Sequence, residues 1–66
     1  MQVVINDRKY ELAEKATVAD ALQLLRMAGD GLAVAVNYRV IPRQEWQAHS
    51  LAEGDVVMLV AATQGG

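Results

Sequence analysis

The feature that most constrains the fold is Val56-Val57-Met58-Leu59-Val60, a run near the end of the chain with no polar residue and no Pro. Three of its five side chains are β-branched, which suits a pleated, buried surface. A run of this kind reads as a strand, and its richness in β-branched residues and freedom from Pro would suit a central position in a sheet. Alternation places Val57 and Leu59 on one face, and Val56, Met58 and Val60 on the other. The whole chain has 66 residues, so it allows one domain. A domain of that size buries only about 60% of the surface its unfolded form exposes. With 53% apolar residues, no Phe, one Trp and no Cys, the core has to be built by aliphatic packing without a disulfide.

The rest of the chain supplies partners for that strand. Gln2 to Asn6 alternates, with Val3 and Ile5 on one face and Gln2 and Val4 on the other. Asn6-Asp7-Arg8 is a turn signal, and Lys9 to Leu12 alternates again, which predicts a hairpin. Thr17 with Asp20 three residues later is a capping box with Asp in place of Glu or Gln. Val18, Ala21, Leu22, Leu25 and Ala28 then fall on one helical face, and Gly29 is expected to cap the helix. Leu32 to Asn37 reads as a strand with Leu32, Val34 and Val36 on one face. Asn37-Tyr38-Arg39 turns into a brief Val40-Ile41 segment ended by Pro42, which can open a helical turn over residues 43–46. Glu53-Gly54-Asp55 is the turn before the final strand. One amphipathic helix over one face of a four- or five-stranded sheet makes a two-layer α+β domain. Residues 1–62 form that domain, and residues 63–66 are expected to be a mobile tail.

Composition excludes several classes. Six basic and eight acidic residues give a net charge of −2, with no block of like charge to attract nucleic acid or an anionic membrane. The longest apolar run, Val56 to Ala62, is far short of the roughly 18 residues a membrane span needs. The start of the chain lacks the basic and long apolar regions of a signal peptide, so a cytoplasmic location is the expectation. The absence of Cys fits a reducing compartment. No thiol nucleophile, phosphate loop or metal-ligand spacing occurs. The single His, His49, reads as a surface or rim residue, and an independent enzyme is not expected.

The positive feature is the end of the chain, Thr63-Gln64-Gly65-Gly66, which by itself reads either as a frayed terminus or as a working end. An α-carboxylate has a pKa of about 3.3–3.7 and is a poor electrophile at neutral pH. Conversion to an acyl-adenylate by an ATP-using partner would open it to a sulfur nucleophile, giving a thiocarboxylate. Two residues without Cβ suit a tail that threads a narrow channel.

Met1-Gln2-Val3-Val4-Ile5-Asn6-Asp7, Thr17-Val18, Ala35-Val36-Asn37, Val40-Ile41-Pro42-Arg43-Gln44-Glu45-Trp46, Glu53-Gly54-Asp55 and Gly65-Gly66 together resemble the ThiS family, the sulfur carriers of thiamine biosynthesis, along essentially the whole chain. The resemblance implies a ubiquitin-like β-grasp fold, with the first and last strands parallel and adjacent at the sheet centre. It implies that a ThiF-like adenylating enzyme, using ATP and Mg²⁺, adenylates Gly66, with Gln64 and Gly65 recognised as the tail enters. A cysteine desulfurase would supply the sulfur as a persulfide. A thiazole synthase (ThiG-like) would receive it, and this chain would bind no cofactor of its own. Three rivals stand beside this reading. One is the small subunit of molybdopterin synthase, which shares the Gly-Asp turn and Gly-Gly end. Another is a ubiquitin-like modifier, against which the tail's lack of Arg argues. The third is a plain interaction module.

In that arrangement Val3, Ile5, Val18, Leu22, Leu25, Val34, Val36, Val57 and Leu59 make the core. Val4, Met58 and Val60 point away from the helix and form an apolar patch at the base of the tail, the expected docking surface. Trp46 is read as closing the core edge, with Arg43 solvated, and Tyr38, Arg39 and Arg43 as possible rim contacts.

Overall fold

The first strand, β1 (Gln2–Ile5), pairs antiparallel with β2 (Arg8–Glu11) through the two-residue turn Asn6-Asp7. Both turn residues have positive φ, 49° and 69°, the type I′ arrangement whose twist matches that of the flanking strands. The computed structural model, which describes residues 1–27 and 31–61, continues with helix α1 (Val18–Leu24), β3 (Leu32–Val36), β4 (Arg39–Val40), a 3₁₀ turn (Arg43–Glu45) and β5 (Val56–Ala61). A second two-residue turn, Asn37-Tyr38 with φ of 51° and 68°, joins β3 to β4. The sheet order is β2-β1-β5-β3-β4. β5 runs parallel to β1 and antiparallel to β3, so the most apolar segment of the chain is the central strand.

The helix begins where the capping box puts it. The Asp20 N–H donates to Thr17 Oγ1 at 3.1 Å, and the Thr17 N–H donates to Asp20 Oδ2 at 2.9 Å. Two more first-turn donors are satisfied by the long connection between β4 and β5: Val18 N–H reaches the His49 carbonyl and Ala19 N–H the Trp46 carbonyl. The end differs from the expectation at Gly29. The helix stops at Leu24, and Arg26, at φ 56°, takes the left-handed position. Arg26 N–H donates to the Gln23 carbonyl and Met27 N–H to the Leu22 carbonyl, the paired bonds of a Schellman motif. Met27 packs against the core just there, so the apolar contact that accompanies such a motif fixes the stop before the glycine is reached. Ala28 and Gly29 lie outside the described residues.

The core follows the periodicities. Val3, Ile5, Val34, Val36, Val57 and Leu59 from the sheet face Val18, Ala21 and Leu22 of the helix, with Leu25 half-buried beside them. Each full burial of a Val, Leu or Ile side chain stabilises by about 1.5–3 kcal/mol. The connections contribute Leu12, Ala16, Ile41, Trp46 and Leu51. Trp46 is the largest of these. Its Nε1–H donates to the Ile41 carbonyl at 2.8 Å, so its one polar group is satisfied in the core. Pro42 is the cap of the 3₁₀ turn that carries Trp46 inward. No helix among the described residues is long and apolar enough to cross a membrane.

Two predictions follow from these ends. Arg26→Gly should raise stability by about 0.5–1 kcal/mol in a urea melt, because Gly adopts φ near 56° without the Cβ penalty. The second concerns the Met1 ammonium, which donates to the Leu12 carbonyl at 2.7 Å and pairs with Glu11 at 3.0 Å and Glu14 at 3.4 Å. Its pKa is raised above 8.0, chiefly by the hydrogen bond to Glu11, with burial opposing and Glu14 adding. A pKa raised on folding contributes stability that is full below the unfolded value and is lost as pH rises through the folded one. The stability gap between wild type and Glu11→Gln should therefore shrink as pH is raised above 8.0, measured by urea melts across that range.

Candidate functional site

Alternation along β5 sorts its side chains between two surfaces. Val57 and Leu59 are buried under the helix, whereas Met58 and Val60 stand 41% and 59% exposed on the opposite face. Register extends this outer face across the neighbours. Val4 lies opposite Val56, Ala35 opposite Met58, Ala33 opposite Val60, and Val40 opposite Ala35. The result is an apolar stripe from Val4 to Val40, with Lys9 and Glu11 of β2, paired with Val4 and Gln2, bringing charge to its β2 side. Val4, Met58 and Val60 thus share one surface, as the alternation implied, though Val4 is half-buried while the other two are open.

The remaining candidates separate. Tyr38, 81% exposed, joins Val56, Met58, Asn6 and Asp7 around a depression of about 230 Å³. It is therefore a rim residue of the apolar stripe. Arg39 lies instead beside Val36, Ile41, His49 and Asp55. Arg43 lines a groove of about 620 Å³ with Ala19, Leu22 and Trp46, on the helix side of the sheet and away from the stripe. His49 is half-buried, and its backbone carbonyl accepts from the first turn of the helix. Gln64, Gly65 and Gly66 lie outside the described residues, as does the rest of the tail beyond Ala61. Among the described residues no three His, Cys, Asp or Glu side chains converge as a metal site.

Sequence reading treated Asn6 and Asn37 as turn formers only. Each also grips β5 with its carboxamide. Asn6 Oδ1 accepts from the Leu59 N–H at 2.9 Å, and its Nδ2 donates to the Leu59 carbonyl at 3.1 Å. On the opposite flank Asn37 Oδ1 accepts from the Val56 N–H at 3.0 Å, while its Nδ2 donates to Asp55 Oδ1 at 3.1 Å. Asp55 Oδ2 in turn accepts from the Ala52 N–H at 2.8 Å and shapes the turn that feeds the strand. Gly54 in that turn has φ of 84°, and its N–H donates to the Gln2 carbonyl. The signal for these clamps was Asn at the first position of two I′ turns. What a carboxamide does once there depends on the strand beside it, which local sequence does not reveal.

The ThiS family model matches residues 3–66. The chain belongs to the ThiS family. It is 33% identical over all 66 residues to the sulfur carrier protein ThiS of Escherichia coli strain K12, covering 100% of both chains. Among solved structures it resembles the crystal structure of the thiamine biosynthesis protein ThiS from Geobacter metallireducens, with a TM-score of 0.84, 26% identity and full coverage of both chains. The solution structure of a thiamine biosynthesis protein from the same organism is similar at a TM-score of 0.79 and 26% identity, over 100% of this chain and 88% of that one. The fold is accordingly the ubiquitin-like β-grasp, and the function is that of a ThiS sulfur carrier in thiamine biosynthesis. Membership decides among the rival readings of the sequence, and it implies dealings with sulfur-transfer partners. The two faces of β5 differ in burial, and a pair of substitutions tests that difference. Met58→Glu should change folding free energy by no more than about 0.5 kcal/mol, as for a surface site. Leu59→Glu should unfold the domain, because it buries an unpaired carboxylate. Urea denaturation of both variants checks the assignment of faces.

Proposed function

We propose that this ThiS-family chain carries sulfur on the C-terminal carboxylate of Gly66, as a co-substrate without catalytic side chains of its own. A ThiF-like adenylating enzyme, holding ATP and Mg²⁺, joins the carboxylate oxygen to the α-phosphate and releases pyrophosphate. The persulfide sulfur supplied through a cysteine desulfurase then attacks the activated carbonyl carbon, and AMP leaves with the bonding electrons. A second thiol cleaves the S–S bond, leaving the thiocarboxylate. A thiazole synthase (ThiG-like) takes the sulfur from it. ATP and Mg²⁺ belong to the partner in this scheme, and the setting is the cytoplasm.

The observation that carries the proposal is that the family match runs to residue 66 and so includes Gly65-Gly66. Fixing each backbone residue in a channel costs about 1–2 kcal/mol, so contacts along Gln64 and Gly65 and on a docking face must compensate. The apolar stripe of Val4, Met58 and Val60 is that docking face for the adenylating enzyme: it lies on β1 and on β5, the strand from which the tail follows in the chain.

Two variants test the roles of end and face together in ATP–pyrophosphate exchange with the cognate adenylating enzyme. Deleting Gly66 moves the carboxylate back by up to about 3.3–3.6 Å. Reacting atoms need to lie within about 3–3.5 Å. Exchange should be abolished while the urea midpoint is unchanged. Gly66→Ala keeps the reach and adds one methyl group, so it should lose activity severely but less completely. Val60→Glu should raise KM about tenfold or more through lost docking, with kcat retained. Normal exchange by the deletion variant contradicts carriage on Gly66.

A further inference from the structure

β5 is held unequally on its two flanks. Towards β3 it is paired along its length, from Val36↔Val57 to Leu32↔Ala61. Towards β1 the pairing is short, Val4↔Val56 and Ile5↔Val57, because β1 ends at Ile5. The Asn6 N–H still donates to the Val57 carbonyl at 3.0 Å, but the backbone then turns away at φ 49°. From there the Asn6 side chain replaces a strand. A carboxamide has the donor and acceptor of a peptide group, and both are used on one residue, the N–H and carbonyl of Leu59. Among the described residues no strand flanks β5 beyond Leu59 on that side.

We infer that Asn6 is a positioning residue for sulfur transfer, which holds Leu59 on the flank that β1 leaves open, so that the end of β5, paired with β3 through Ala61, keeps the direction that delivers the chain end to the adenylating enzyme. The inference rests on the proposed carriage at Gly66. Leu59 is anchored twice, by its side chain in the core and by Asn6 at its backbone. Without the carboxamide, the end of β5 is free to peel from that flank, and only part of the population presents the competent direction. Affinity for a partner that needs that direction falls by the competent fraction, while the bound complex reacts at its former rate.

Asn37 is the built-in control. It grips β5 at Val56, the other end of the strand, also through a carboxamide and also from a positive φ. Asn6→Gly and Asn37→Gly both keep backbones that tolerate positive φ and both remove a clamp. The experiment is ATP–pyrophosphate exchange with the adenylating enzyme for wild type, both variants and the Gly66 deletion, beside amide hydrogen exchange of the free proteins. Asn6→Gly should raise KM about tenfold with kcat essentially unchanged, and Asn37→Gly should leave KM within about twofold of wild type. The Leu59 amide should exchange at least about tenfold faster in Asn6→Gly. An unchanged KM for Asn6→Gly overturns the inference, and so does an equal rise for both variants, which would mark a merely structural clamp. Exchange by the Gly66 deletion would instead overturn carriage on Gly66, so the two failures are distinct. Should Asn6→Gly not fold, Asn6→Asp carries the test: it keeps the acceptor for the Leu59 N–H and loses the donor to the carbonyl. A raised KM supports the inference and a wild-type KM overturns it.

Discussion

The parallel pairing of the first strand with the last is the interaction on which everything else here depends. It joins residues more than fifty positions apart, Val4 with Val56 and Ile5 with Val57. Closing so long a loop is entropically costly, and two pairs of residues are a small ladder to offset it. The burial of Val3, Ile5, Val57 and Leu59 beneath one helix makes up the difference. The surrounding turns then add backbone hydrogen bonds. Val4 N–H donates to the Asp55 carbonyl, Gly54 N–H to Gln2, and Gln2 N–H to Glu53 Oε1. The turn before β5 is therefore stitched to the start of the chain alongside the strand pairing itself.

Putting the last strand at the centre has a functional consequence. A central strand is rigid along its backbone, and among the described residues helix α1 covers one face of it. Its far end is held in the sheet through Ala61 by β3, so a chain end that follows it starts from a fixed place. Its other face is apolar. A carrier whose working group is at its terminus needs both, a fixed origin for the tail and a surface by which partners orient the body. β5 supplies them from alternate residues of one strand.

Much of this was legible in the sequence, for physical reasons that differ by element. The hairpin, the capping box of Thr17 and Asp20 and the two faces of β5 depend on local chemistry and short periods, and they stand where the residues put them. The stripe of Met58 and Val60 was visible for the same reason. The helix end was not. Gly29 is the better left-handed residue intrinsically, but Met27 packing against the core outweighs the strain of Arg26, and packing between distant segments is not written in a local pattern. The same limit hid Ile41 and Leu51, core residues in connections without periodicity. It also hid the second role of Asn6 and Asn37, which exists only once β5 lies between them. Strand order came from the likeness of Glu53-Gly54-Asp55, Pro42-Arg43 and Gly65-Gly66 to a family, because alternation fixes which residues face inward but not which strands are neighbours.

The central claim is that sulfur travels on the last residue of this chain, and intact-protein mass spectrometry with fragmentation tests it most directly. The protein is incubated with the adenylating enzyme, ATP, Mg²⁺, a persulfide source and a thiol to cleave the acyl disulfide. The account predicts a mass gain equal to the exchange of one oxygen for one sulfur, located by fragmentation on Gly66 and dependent on ATP. Sulfur found on any other residue, or no ATP-dependent gain in the presence of an active cognate enzyme, would contradict it.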